Sequence, residues 1–258
     1  MRVGASTACF YPLETEKSLL RLAENGITNA EIFFNADCEL SGSILDEIKD
    51  IVYNYKMTIL SVHPFTSAVE TMSLFGDYPR RFDAMIDTYK RYFEVMNHFG
   101  AKVFVLHGAL KSAVVEDEVY FERYLKLFEE GKKFGVTVAQ ENVSYCKSGS
   151  REFLSQMKKS LGENCRFVLD VKQALRSGTT AFDLLDVLGN SLAHCHLSDN
   201  NEMSDCIPVG KGRFDFGGFV KRLDEINYGG NIILELYQNG YESVREIKES
   251  LEFMEKFF

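Results

Sequence analysis

Apolar residues along the chain follow two alternating rhythms. Short runs rich in β-branched and aromatic residues, "RVGAS", "NAEIFF", "TILSVH", "KVFVLH", "GVTVAQEN", "CRFVLD", "LAHCHLS" and "NIILEL", read as strands. Between them, residues 16–25, 43–55, 78–99, 116–134, 151–161, 181–188, 215–226 and 241–257 place apolar positions at helical spacing. Glycine closes three of these stretches, in "ENGI", "HFGA" and "KFGV", and Asp215 in "FDFGGF" stands where a helix N-cap belongs. Strict strand–helix alternation implies parallel strands with right-handed crossovers. Eight such repeats over 258 residues point to an α/β protein, a closed (β/α)8 barrel in one domain spanning 1–258. An open doubly wound sheet is the alternative, but "VGASTACF" after the first strand contains no GxGxxG turn.

Composition narrows the partners more than the fold. A chain of 258 residues buries about three quarters of its unfolded surface and needs no disulfides. The six cysteines (Cys9, Cys38, Cys146, Cys165, Cys195, Cys206) are scattered without CxxC spacing. With no signal-peptide pattern at the N-terminus, they read as reduced thiols of a cytoplasmic protein. No apolar run approaches the roughly 20 residues that span a bilayer, so no membrane partner is expected. A net charge of -9 without a basic stripe argues against nucleic acid and suits a small neutral or locally neutralised ligand.

The chemistry lies at the strand ends. In "LAHCHLS", residues two apart share a face, so His194 and His196 point the same way, in a chain with only five histidines. Barrel enzymes carry their active groups where strands finish. Here the third to eighth strands finish on His63, His107, Glu141, Asp170, His196 and Glu235, all residue types able to bind a metal. Glu141, Asp170, His196 and Glu235 would form a hard, mostly oxygen site for Mn²⁺, Mg²⁺ or Co²⁺, with Zn²⁺ as an alternative. His63 and His107 leave room for a second ion bridged by Glu141, and two ions roughly 3.5–4 Å apart favour hydrolytic or phosphoryl chemistry. Alternatively, Glu141 and Glu235 face each other as an acid–base pair.

Plainer roles compete at each position. Glu141 and Asp170 also suit helix N-caps or salt bridges, and His63 and His107 could simply hydrogen-bond barrel neighbours. Glu235 inside "ILEL" is harder to explain that way, because a buried unpaired carboxylate is costly and calls for a nearby cation. His194 is expected to support or pack beneath His196, and Glu31 in "AEIFF" to be a structural or supporting carboxylate. His98 is expected outside, at a helix C-terminus.

These residues resemble a known superfamily along essentially the whole chain. "QEN" at the fifth strand, "VLD" at the sixth, "HCHLSD" at the seventh, the following "IPVGKGRFDF" and "ILEL" at the eighth resemble the xylose isomerase-like TIM barrels. That superfamily includes sugar-phosphate isomerases and epimerases, ketose 3-epimerases, inosose dehydratases and zinc apurinic endonucleases. The resemblance implies one divalent metal on Glu141, Asp170, His196 and Glu235, with the two glutamates also serving as acid and base. Two departures matter. Relatives often carry Asp-x-x-His at the sixth strand, where this chain has Asp170 and Gln173, and Asp-x-His where it has Ser204-Asp205-Cys206. In the endonuclease those positions hold a third zinc, so the resemblance implies that this third site is absent here.

The leading expectation is a metal-dependent isomerase or epimerase of a sugar, sugar phosphate or cyclitol, moving a proton through an enediolate. Gln173, His107 and Lys211 are the candidate substrate contacts. Phe10, Phe65 and Phe75, in "FYPLETE" and "FTSAVETMSLFGDYPRRF", are candidate pocket walls. The rivals are a two-metal hydrolase using His63 and His107, and a non-catalytic sugar-binding barrel. Barrels of this kind commonly pair, which makes a homodimer an expectation as well.

Overall fold

Strands wrapped into a barrel alternate their side chains between the interior and the surrounding helices. The computed structural model describes residues 1–257, with the side chains of all of these except 67 and 68. Its strands are β1 (Val3–Ser6), β2 (Asn29–Phe34), β3 (Thr58–Pro64), β4 (Val103–Leu106), β5 (Thr137–Glu141), β6 (Phe167–Asp170), β7 (Leu192–Leu197) and β8 (Asn231–Leu234). They pair in parallel in chain order, and β8 returns to β1 through Val3↔Ile232 and Ala5↔Leu234. The barrel is closed, as expected from eight strand–helix repeats.

The helices are α1 (Thr15–Glu24), α2 (Gly42–Asn54), α3 (Ser67–Ser73), α4 (Pro79–Phe99), α5 (Asp117–Lys133), α6 (Arg151–Leu161), α7 (Val171–Arg176), α8 (Ala181–Leu188), α9 (Phe216–Glu225) and α10 (Val244–Met254). Among the described residues, none is long and apolar enough to cross a membrane. Helices α3 and α7 escape the sequence pattern because, at 7 and 6 residues, they are too short for a 3.6-residue period to register. The last helix starts later than its pattern because Tyr241 and Ser243 take extended backbone and Ser243 is its N-cap. Asp215 caps α9 by accepting the Gly218 N–H at 2.9 Å.

Two layers of burial result. The large apolar core lies between barrel and helices, where Phe34, Phe93, Phe104, Tyr92 and Leu19 are fully covered. A smaller cluster of Val103, Val105, Ala139 and Val168 fills the barrel itself. The two-residue period then carries the chain from Val105 to His107, from Ala139 to Glu141 and from Val168 to Asp170. Apolar residues plug the barrel, and the next inward position on each strand is polar.

Two loops hold the mouth in shape. Gly108, after His107, adopts φ +85, and a Cβ there would lie 2.0 Å from the Tyr120 hydroxyl oxygen, so glycine is required. Its N–H donates to the buried Glu70 carboxylate of α3, which also accepts from the Tyr89 hydroxyl at 2.7 Å. After β7, a single buried carboxylate, Asp199, accepts the N–H groups of Asn200, Gly210, Gly212 and Phe214 at 2.8–3.0 Å. Gly212 comes so close that a Cβ would stand 2.2 Å from the Asn200 carbonyl oxygen.

Candidate functional site

His63, Glu141, Asp170 and His196 on β3, β5, β6 and β7, with His107 and Glu235 directly after β4 and β8, converge at the C-terminal mouth. One donor atom each from Glu141, Asp170, His196 and Glu235 lies within 4.8 Å of the others. His63, His107 and Glu141 form a second group by the same measure, sharing Glu141 with the first. His196 sits between the two glutamates, its Nδ1 3.2 Å from Glu141 Oε1 and 3.8 Å from Glu235 Oε2.

The other face of His196 is fixed from below. Its Nε2 lies 3.0 Å from Glu31 Oε2, which also accepts from the Ser61 hydroxyl at 2.8 Å. His194 Nε2 in turn donates to Ser61 Oγ at 3.0 Å. Glu31 therefore holds the proton on Nε2 and turns Nδ1 toward the quartet. Removing that support is expected to disturb metal uptake without changing any residue of the Glu141, Asp170, His196 and Glu235 group. Glu31→Gln should weaken divalent-ion affinity by about 10–100-fold, read by isothermal titration; affinity unchanged from wild type would show that Glu31 does not orient His196.

Charges inside the mouth reinforce one another. Burial raises Glu141, but His107, His196 and His63 outweigh it and hold the carboxyl well below the usual range. Burial lowers His196, but Glu31, Glu235 and Glu141 outweigh it and hold the ring well above its ordinary value. Burial pushes Asp170 up to about 6 against the pull of Lys172. Burial also raises Glu235, yet Lys172 and His196 bring it below its ordinary value.

The residues present fit a cation. Among the described residues, no aligned donor reaches the buried Glu141 Oε2, although it lies 2.9 Å from His107 Nε2 and 3.8 Å from His63 Nε2. The two imidazole Nε2 atoms face each other at 2.9 Å. Three carboxylates and an imidazole converging in this way are a donor set for a hard divalent ion.

Above the quartet opens a cavity of about 490 Å³. Tyr11, Phe33, Phe65, Tyr145 and Tyr237 form its aromatic walls, and Asn35, Gln173 and Arg176 supply polar groups beside His63, His107, Glu141 and Glu235. Gln173 Oε1 accepts the Ser144 N–H at 3.1 Å, which leaves its NH2 group for a ligand. Arg176 is held by Asp205 at 2.6 and 3.0 Å and donates to the Tyr237 hydroxyl at 2.7 Å. A depression of about 750 Å³ near Lys49, Tyr53 and His98 lies outside the barrel mouth and includes none of these converging groups.

The structure corrects several expectations. Lys211 is about half exposed and faces Glu249 of α10 at 3.8 Å, away from the cavity. Its loop is turned outward by the Asp199 clamp. Phe10 and Phe75 are buried, Phe10 against Tyr241 and Phe75 stacked on Tyr120, so of the three phenylalanines only Phe65 lines the cavity. Asp170 combines two of the roles considered for it: it caps α7 through the Gln173 N–H at 2.8 Å and also stands in the quartet. Lys172 is the residue the sequence reading missed. Its one sequence signal is a charged residue in the mainly apolar "VLDVKQAL", two positions after Asp170.

A closed parallel barrel with three carboxylates and an imidazole gathered at its C-terminal mouth defines the class, a (β/α)8 barrel with a candidate metal and acid–base centre. The chain belongs to the xylose isomerase-like TIM barrel family, whose profile matches residues 19–257. An uncharacterised protein of Mycobacterium leprae is 21% identical, covering 98% of this chain and 96% of its own length. Among solved structures, a D-psicose 3-epimerase with D-tagatose from Clostridium cellulolyticum H10 superposes with a TM-score of 0.79 at 15% identity, over 100% of this chain and 99% of that one. The IOLI protein with a bound zinc atom gives 0.79 at 16% identity, over 100% and 99%.

Proposed function

We propose that this protein is a sugar isomerase or epimerase that works with one divalent cation. The observation that carries the reading is the pair Glu141 and Glu235, converging on His196 beneath an aromatic-walled cavity of sugar size. The folds of the psicose epimerase and of the zinc-containing IOLI protein support it. Glu141, Asp170, His196 and Glu235 would hold the cation, which when bound would supply Lewis-acid polarisation of a substrate carbonyl.

The chain's own residues account for the remaining steps. Tyr11, Phe33, Phe65, Tyr145 and Tyr237 cover the apolar faces of a sugar and limit water. The Gln173 NH2 group donates to a hydroxyl. One of Glu141 and Glu235 removes the proton on the carbon between carbonyl and hydroxyl, and the other returns it from the opposite face, through an enediolate. Against the effect of burial, His107, His196 and His63 keep Glu141, and Lys172 and His196 keep Glu235, in the ionised form that a base requires.

The test is solvent-deuterium wash-in across a panel of ketoses and sugar phosphates, with metal content measured by elemental mass spectrometry. Exchange at a carbon next to the carbonyl, with about one Mn, Mg, Co or Zn per chain, is expected. A metal-loaded protein that exchanges no sugar proton would refute the reading. The His63, His107 and Glu141 cluster favours a second reading, a two-metal hydrolase, which requires two ions per chain and loss of one of them in His63→Ala.

Metal uptake should depend on pH with a definite sign. His196 keeps its proton above the ordinary histidine range, and a ligand must shed its proton to bind. Affinity should therefore rise by up to about tenfold per pH unit until the His196 ring is deprotonated, with roughly one proton released per ion. Titrations in buffers of different ionisation enthalpy would measure that release; uptake without protons would contradict it.

A further inference from the structure

Lys172 carries no proton in the reaction proposed above, yet it is built into the quartet. It is 2% exposed, and its Nζ lies 2.6 Å from Asp170 Oδ2 and 2.8 Å from Glu235 Oε2. These two carboxylates come from β6 and from beyond β8, separated by 65 residues (235 − 170). The ammonium is not part of the cavity wall. The Tyr237 ring, 5.4 Å from Nζ, is a wall residue, and Tyr237 is in turn held by Arg176. Lys172 therefore does not touch a ligand in the cavity; it acts through the two carboxylates it joins.

An ammonium buried this deeply is retained only with close anionic partners, and here both partners are candidate metal ligands. The charges make the consequence concrete. Asp170, Glu141 and Glu235 carry three negative charges, and Lys172 reduces the sum to two. One divalent ion with a neutral His196 then balances the site. Without Lys172, the same ion would meet a more negative, less occupied donor set, because one oxygen each of Asp170 and Glu235 is now engaged by the ammonium.

We infer that Lys172 is an internal counter-cation of the quartet, a positioning residue that holds Asp170 and Glu235 together before the metal arrives and keeps the bound metal weak enough to exchange. This rests on the metal-binding reading of the quartet. A lysine with a merely structural role would destabilise the fold on removal but would not sharpen metal binding.

The experiment is Mn²⁺ titration of the chelator-treated full-length chain, followed by the electron paramagnetic resonance signal of free Mn²⁺, with melting curves alongside. Wild type is compared with Lys172→Gln, which keeps an uncharged donor, and Lys172→Met. Both variants should bind Mn²⁺ about tenfold tighter than wild type or more, because a repelling charge beside the ion is gone. The gain should disappear when His196→Ala is added, which places it at the quartet. Metal-free Lys172→Met should melt below wild type and recover with Mn²⁺. Variants that bind Mn²⁺ no tighter than a wild type that does bind it overturn the inference alone. Variants that stay unfolded even with excess Mn²⁺ overturn it too, since the lysine is then only a structural charge. If neither wild type nor variants bind Mn²⁺, the metal-dependent reading falls and takes this inference with it.

Discussion

Replacing Glu235 by Gln is expected to lower turnover of the accepted sugar by about a thousandfold while leaving the barrel folded. The amide keeps the volume of the side chain, and its oxygen can still accept from the Lys172 ammonium, 2.8 Å away in the native site. What it loses is the capacity to take a proton. The backbone at this position is held independently, since Glu235 N–H donates to the Leu197 carbonyl at 3.1 Å and Cys206 Sγ approaches the Glu235 carbonyl oxygen at 3.7 Å. The comparison belongs at saturating metal, because a neutral amide is also a poorer ligand than a carboxylate. Solvent-deuterium exchange separates the roles further: in a two-base reaction, Glu235→Gln and Glu141→Gln each stop conversion, but one of them retains proton exchange into the substrate. Turnover within about tenfold of wild type would rule out Glu235 as a base and return it to a structural part.

The largest expected loss of stability lies outside the candidate ligands. Asp199→Ala removes the acceptor of four backbone N–H groups, those of Asn200, Gly210, Gly212 and Phe214. Asp199 is 1% exposed, so water does not readily replace it. A buried acceptor serving several donors resembles a buried ion pair on removal, which costs about 3–5 kcal/mol. For a chain of this length that lowers the melting temperature by roughly 10 °C. The loop it closes packs toward α10 through Gly210 against Phe253 and through Lys211 with Glu249. The same variant should therefore loosen Lys211's loop without removing any quartet ligand. Thermal melting checks the first part, and a loss below about 1 kcal/mol would mean that the Asp199 clamp contributes little.

Strand periodicity explains why much of the candidate site is legible in the sequence. Once Val105, Ala139 and Val168 are taken as inward, the two-residue rule places His107, Glu141 and Asp170 inward as well, and the barrel brings the strand ends into one ring. The same rule aligned His194 with His196 and left the deeper residue to serve the shallower one through Ser61 and Glu31. These are local relations within single strands, and a short window of sequence contains them.

Side chains beyond the strand ends obey no such rule. Phe10, Phe65 and Phe75 look alike in sequence, yet only Phe65 reaches the cavity, because the path of each loop decides which way a ring turns. Lys211 points to α10 because Asp199 gathers its loop from positions 11 to 15 residues away. Lys172 shows the limit most plainly. Its place follows Asp170 by two residues, but its second partner is Glu235, 63 residues further along the chain. Alternation, a property of each strand, already set the barrel, its inward positions and the ring of candidate ligands. That the Lys172 ammonium stands among those candidates depends on two distant strand ends closing around one side chain, which no short window of sequence contains.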